Sequence, residues 1–322
     1  MLLGRGFDWI LVTGGAGFIG SHTVDALLKE EVKVWILDDL SSGSLRNIRH
    51  LRKNPQCRFK RGSITNYRTV EFLARKVDAI ISLAAVVSPF VSVKKPELAN
   101  EVNVAGTLNV LRAALKTGAK RVVCASSSSV YGNQTILPIT EANPLQPITP
   151  YGVSKLAGEK YCGSFYQTFG LETICFRYFN VYGSRQSSNP YSGVISIFAN
   201  KLRKGLPLQI FGDGEQTRDF IHVSDVVEAN LTGLETARGI GEAFNVGTGQ
   251  PTSINTLASI LADLYGRSGI VPNHLDPRRG DIKDSYADTT RAKETLDFQS
   301  KVELRHGLKG LLEATGQFTR TE

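Results

Sequence analysis

The chain has 322 residues, a length that suits one large α/β domain with an attached lobe, or two domains. Its 41% hydrophobic and 21% charged residues are those of an ordinary globular protein, and its longest nearly apolar run, residues 79–87, is too short to cross a bilayer. A net charge of +8 raises nucleic acid as a partner, but the basic stretch RNIRHLRK (46–53) lacks interleaved aromatics, zinc spacing or an RNP-like motif, so a solvated helix face or attraction for an anionic small molecule is the expectation.

The N-terminus moves straight into a strand and a glycine loop, without a basic leader or cleavage site, so no signal peptide is expected. The four cysteines (57, 124, 162, 175) show no CxxC spacing, and Cys124 and Cys175 read as reduced core thiols of a cytoplasmic protein. The first strand, WILVT (9–13), runs into TGGAGFIG (13–20) and a helix near 18–30. Gly14, Gly17 and Gly20 leave bare backbone at a helix N-terminus, where unpaired N–H groups favour a pyrophosphate. The second strand, VKVWIL (32–37), ends in Asp38-Asp39. Asp38 is placed to accept hydrogen bonds from ribose hydroxyls and to repel a 2′-phosphate, which favours NAD over NADP; its competing reading is a turn residue.

Strands at 58–62, 79–83, 121–126 and 172–177 then alternate with helices near 66–76, 96–117 and 150–169; Leu98, Val102, Ala105 and Leu108 keep a helical period in the second of these. The alternation predicts an α/β fold: a doubly wound parallel Rossmann sheet with a smaller C-terminal substrate-binding lobe. The expected division is a cofactor-binding domain over 1–178, with later returns near 220–248 and 284–296, and a lobe made mainly of 179–322. Segment 178–193 reads as a functional loop. It precedes a helix (194–204), a strand (208–211), the loop GDGEQTRDF (212–220) and a helix opened by Ser224 and Asp225. A strand at 243–247 and a helix from Ser253 to about Tyr265 follow. Such a lobe would close over the C-terminal edge of the sheet.

Two features carry chemistry. ASSSSVYG (125–132) ends a strand in four hydroxyls, and Tyr151-Gly-Val-Ser-Lys155 places a phenol and an ammonium four residues apart on one helix face. A nearby ammonium and a positive nicotinamide ring both favour a tyrosine's phenolate. The spacing alone is a common coincidence, but here it opens the helix after the serine strand, and Pro147 and Pro150 pin its approach.

With these residues in hand, TGGAGFIG, Asp38-Asp39-Leu40, Leu83-Ala84-Ala85, Asn103, SSSSVYG, TPYGVSK, FRYFNVYG, TRDFIHVSD and PRRGD…ADTTRA resemble an extended short-chain dehydrogenase/reductase. More narrowly, they resemble NAD-dependent nucleotide-sugar 4-epimerases of the UDP-glucose/UDP-N-acetylglucosamine type. The resemblance implies Ser127, four residues before Tyr131, as the hydroxyl at the sugar C4 oxygen. It implies Tyr151 as general base with Lys155 beside it, Tyr131 as pocket wall, and Ser128 as a substrate contact. Ser126 and Ser129 read as strand-end hydroxyls satisfied locally.

Implied cofactor contacts are Gly14, Gly17, Phe18, Ile19 and Asp38 in the first half, then Leu83, Ala84, Ala85, Asn103, Tyr151, Lys155 and Tyr178. The pair Ser63-Ile64 stands where the family usually has an aspartate at the adenine amine, so a looser hold on NAD is expected. Implied diphosphate anchors are Asn180, Arg218 and Arg278, with Arg185, Gln209 and Asp281 toward the nucleoside. Ser88 and Ser92 are implied walls beside the sugar. Ser285, two before Ala287-Asp288, is small and would leave room for an N-acetyl group at C2. His222 reads as a packed histidine rather than a ligand, and no metal is expected.

Related dehydratases and decarboxylases place carboxylates at the positions held here by Ser128 and Ser129, and a hydroxyl of ordinary pKa cannot replace them. The expectation is therefore a 4-epimerase of UDP-sugars working through a transient 4-keto sugar. The alternative is a nucleotide-sugar dehydratase, decarboxylase or reductase of the same superfamily, and more remotely a non-catalytic NAD-binding regulator. The resemblance also implies a homodimer through the helices near 96–117 and 150–169, and neither a nucleic-acid nor a membrane partner.

Overall fold

The computed structural model describes residues 6–186, 193–277 and 281–314. The first half runs β1 (Trp9–Thr13), α1 (Phe18–Lys29), β2 (Lys33–Asp38), β3 (Cys57–Arg61), α2 (Tyr67–Ala74) and β4 (Ala79–Ser82). It continues through α3 (Pro89–Lys94), α4 (Pro96–Ala99), α5 (Thr107–Thr117), β5 (Arg121–Ser127), α6 (Pro150–Phe169) and β6 (Glu172–Tyr178). The second half runs β7 (Asn180–Tyr182), α7 (Val194–Arg203), β8 (Gln209–Phe211), β9 (Thr217–His222), α8 (Val223–Glu235) and β10 (Ala243–Val246). After it come β11 (Pro251–Ser253), α9 (Ile254–Leu264), β12 (Asn273–Leu275), β13 (Asp284–Ser285), α10 (Thr290–Leu296) and α11 (Leu304–Ala314).

The strands β1, β2, β4, β5 and β6 of the main sheet are largely buried on both faces because helices cover each face, whereas the edge strand β3 is charged and exposed. Along β1, Ile10 and Val12 join one core layer and Leu11 joins the other. The resulting seven-stranded sheet has the order β10-β6-β5-β4-β1-β2-β3, with every neighbouring pair parallel. This is the expected doubly wound sheet, and its strand order reverses between β1 and β4, where such sheets open a crevice for ligands. Arg121, fully buried at the start of β5, donates to the carbonyls of Gly233, Leu234 and Thr236 and so satisfies the end of α8.

A second, smaller sheet is organised by β9. Its first half lies between antiparallel β11 and parallel β13, and its second half pairs with β7. The segment 212–220, expected as one loop, is a turn followed by this strand. Local glycines and charges hid it, and its three partner strands stabilise it. A separate apolar cluster, with Phe198, Leu202, Ile210, Phe220, Leu257 and Leu261, packs the helices α7 and α9 on this side.

The helix expected over 96–117 is also divided. Between α4 and α5, residues Asn100–Gly106 form wider π-type turns. A hydrophobic period cannot reveal one inserted residue per turn, and such widenings mark places where a side chain must be aimed.

Candidate functional site

At the β1–α1 turn the backbone itself builds the cradle. Gly14 has φ +69°, and a Cβ there would stand 2.8 Å from the Ala84 nitrogen. A Cβ on Gly20 would stand 2.1 Å from the Gly14 carbonyl, so helix and loop approach as only glycine permits. Gly17 caps α1 with no side-chain hydrogen bond, and no acidic residue stands in the first turn with Phe18 and Ile19. That end is left to an anion, which fits the diphosphate of a dinucleotide. Leu83 and Ala84 leave β4 hydrogen-bonded to Thr13, and Ala85 follows them into the crevice.

Asp38 lies at the end of β2, 6% exposed, and its two oxygens accept from the Ala16 and Leu40 N–H groups. Burial raises its carboxyl above the ordinary value, against the pull of those hydrogen bonds. Asp38 therefore shapes the glycine loop. Ser63 accepts from the N–H and hydroxyl of Thr65, closing its own turn. The side chain of Ile64 is buried against Gly106, leaving only backbone for a cofactor.

Asn103, in the π-type segment, is buried and clamps the exit of β4. It accepts from the Val86 N–H and donates to the Val86 carbonyl and the Ser154 hydroxyl. Ser154 in turn donates to the Tyr151 carbonyl. Through this relay the widened turns fix the first turn of the helix that carries the phenol.

That helix, α6, begins where sequence dictates. Thr149 accepts from the Gly152 N–H, and Pro150 occupies the first turn. A Cβ on Gly152 would lie 2.6 Å from the Ser129 carbonyl. The absence of that Cβ lets the start of α6 sit against the 127–130 turn, which brings Tyr151 and Lys155 to the end of β5. Ser127 is 8% exposed and its hydroxyl accepts from the Ser129 N–H, while Ser128 is half-buried beside it. Ser92 is fully buried, donating to the Pro89 carbonyl and accepting from the Tyr151 N–H, so it supports the helix rather than lining a wall. Ser88 accepts from the Val91 N–H as the cap of α3.

Two further expectations are corrected. Ser126 does not bond locally: it donates to Glu159 on α6 at 2.7 Å. Tyr131 is not a wall but a fully buried phenol, donating to Asn245 of β10 and accepting from Arg177 of β6. Burial pushes that phenol up to about 12. Arg177 closes the network by pairing with Glu159 at 2.6 Å, both side chains being 5% exposed. Burial alone would lower the arginine, but Glu159 overrides it and raises the net value. Sequence reasoning missed Glu159, although it lies one turn beyond Lys155 on the same helix face. Tyr178 is also committed, its hydroxyl donating to Asn230 at 2.6 Å within the core.

A cavity of about 200 Å³ opens beside β9 and brings together Asn180, Gln209, Arg218 and Asp281, all expected anchors. Phe198, Phe211 and Gln216 line it as well, and only the strand LQIF hinted at any of them. Arg218 pairs with Asp281 at 2.7 Å and donates to the Thr217 carbonyl. Burial lowers Arg218 from the ordinary value, with Asp281 and Asp284 opposing. Arg185 is not brought there: it pairs with Asp25 of α1 at 2.7 Å. Arg278 lies outside the described residues.

Ser285 is 7% exposed and stands opposite Arg218 in the β13–β9 register. Its segment is held by fully buried Asp219, which accepts from the N–H groups of Ala287, Thr248 and Gly249. His222 is a capping residue, accepting from the Ser224 N–H and lying edge-on to Tyr182.

The model of the NAD dependent epimerase/dehydratase family matches residues 10–247. A putative UDP-glucose 4-epimerase of Methanocaldococcus jannaschii is 40% identical over 302 residues, covering 93% of this chain and 96% of that protein. The crystal structure of a UDP-glucose 4-epimerase with UDP-glucose from Thermotoga maritima aligns with a TM-score of 0.89 at 37% identity, over 96% of this chain and 99% of that one. A UDP-N-acetylglucosamine 4-epimerase from Methanobrevibacter ruminantium, in complex with UDP-N-acetylmuramic acid, aligns with a TM-score of 0.91 at 34% identity, over 97% and 99%. The chain belongs to the NAD-dependent epimerase/dehydratase family.

Proposed function

We propose that the protein is an NAD-dependent 4-epimerase of UDP-sugars. The observation that carries this reading is the junction of β5 and α6: Gly152 against the Ser129 carbonyl puts the Tyr151–Lys155 pair at the Ser127 turn, with hydroxyls at 128 and 129 where elimination or decarboxylation needs carboxylates. The chemistry that bound NAD supplies is reversible hydride exchange at the sugar C4. Tyr151 takes the proton of the C4 hydroxyl and gives it back, and Ser127 hydrogen-bonds that oxygen in both states. Lys155 contributes positive charge beside the phenolate. Asn180, Gln209, Arg218 and Asp281 hold the nucleotide in the cavity while the 4-keto sugar turns over.

The unit from residue 179 onward, less the returns near 220–248 and 284–296 that pack α8, β10 and α10 on the main sheet, is on this reading the sugar-nucleotide lobe. Both UDP-Glc/UDP-Gal and UDP-GlcNAc/UDP-GalNAc are proposed substrates, because Ser285 is small and stands opposite Arg218. A homodimer is proposed through α5 and α6, whose outer faces expose Leu115, Val153 and Tyr161. Unpaired cysteines, three of them buried, suit a cytoplasmic protein.

The test is purified protein with UDP-Gal and UDP-GalNAc separately, with and without added NAD, followed by separation of the sugar epimers. Conversion of both without net change at 340 nm is expected. Accumulation of reduced cofactor, or of a dehydrated or decarboxylated sugar, would overturn the reading. For the pocket, Ser285→Tyr is expected to depress turnover of the acetylated sugar selectively; unchanged preference sinks that assignment.

A further inference from the structure

Three of the four cysteines converge where the catalytic elements cross. Cys124 lies on β5, three residues before Ser127. Cys175 lies on β6, directly opposite Cys124 in the strand register. Cys162 lies on α6, seven residues beyond Lys155, about two turns along and so on the same helix face. Strand alternation points Cys124 and Cys175 toward the α6 side, where all three join one core layer. All are buried free thiols, and their sulfurs lie within 4.8 Å of one another.

We propose that this trithiol is a binding site for a single soft d¹⁰ cation, Cu(I) being the physiological example. Three sulfurs about 2.3 Å from one ion stand about 4 Å apart, a triangle the three side chains nearly form already. Thiolate-only ligation selects soft ions, whereas Zn(II) wants a fourth ligand and Mg(II) or Ca(II) want oxygen. Among the described residues, no histidine or carboxylate joins the cluster.

Binding converts two thiols to thiolates and releases two protons, while the third sulfur coordinates as a thiol. The complex then carries one net negative charge, and the Lys155 ammonium, which acts on Cys124, opposes it. Burial makes entry slow, since α6 must lift locally from the sheet. Once bound, the ion fixes α6 to β5 and β6 two turns beneath Lys155. Drawing the sulfurs from within 4.8 Å to about 4 Å of one another shifts α6 against the strands, displaces Tyr151 relative to Ser127, and turnover falls.

The test is anaerobic titration with Cu(I) against a chromophoric chelator, in a Cys57→Ser background. One copper per chain is expected, with an ultraviolet thiolate-to-copper band and sulfur-only ligation at about 2.3 Å in copper-edge absorption. Cys162→Ala should lose the site. If it misfolds, Cys175→Val is the second variant, and the copper-edge spectrum of the Cys57→Ser protein stands without either. Binding that survives these changes, or nitrogen or oxygen ligation, would overturn the site. The activity arm alone rests on the epimerase reading: epimerisation should fall in step with copper and return with excess chelator. Copper uptake with unchanged turnover would overturn the link to catalysis, and a protein without epimerase activity leaves the copper arm intact.

Discussion

The β5–α6–β6 junction and the β9-centred lobe serve the same proposed reaction with opposite construction. At the junction the strands are long and buried, and each group that aims the chemistry is held by another buried group: Ser126 by Glu159, Glu159 by Arg177, Arg177 by Tyr131. In the lobe, β7, β8 and β11 have three residues each and are partly exposed, and the cavity residues Asn180 and Gln209 are open to solvent. Proton transfer tolerates little misplacement, so its groups sit in a rigid polar core. Recognition of a large anionic ligand can be spread over several weak contacts, so short strands suffice. The expected division is that damage at the junction lowers turnover and stability together, whereas damage in the lobe raises KM.

The largest effect should come from Tyr151→Phe, which removes the proposed acid–base group and should lower kcat about 10²–10⁴-fold with the fold intact. Epimer separation after long incubation measures it; a loss below tenfold would take the phenol out of the chemistry. Next, Glu159→Leu leaves a buried Arg177 uncompensated and should cost about 3–5 kcal/mol of stability. The urea midpoint reads that loss. Because Ser126 also loses its partner, kcat should fall further than KM changes. A stable, fully active variant would separate the network from the catalytic end of β5.

Gly152→Ala sharpens the comparison further. Its Cβ would meet the Ser129 carbonyl at 2.6 Å, so α6 must shift, at about 1–3 kcal/mol by analogy with overpacked cores. The expected signature is reduced kcat with near-normal KM, checked by initial rates. Arg218→Ala is the counterpart in the lobe. Loss of a charged hydrogen bond, about 1.5–3 kcal/mol, should raise KM for the nucleotide-sugar roughly 10- to 100-fold with little change in kcat. If kcat fell instead, the division between the two regions would not hold.

What could be read from sequence followed from local chemistry. The glycine loop, the apolar strands of the main sheet, the proline in the first turn of α6, the cap at Ser253 and the Tyr151–Lys155 pair each depend on a few neighbouring residues, and these the chain specifies by itself. The family resemblance added roles, but not partners. Nothing local to ASSSSVYG could tell that Ser126 bonds a carboxylate 33 residues away, or that Tyr131 points into the core instead of the crevice. Strand β9 was hidden because its stability comes from three strands distant in sequence. The width of the Asn100–Gly106 turns was equally invisible, since a hydrophobic period does not count hydrogen bonds. Sequence determined which groups were available, because propensity and spacing act over a few residues. Tertiary structure decided which of them meet, because buried polar groups must find partners wherever the packed chain brings them.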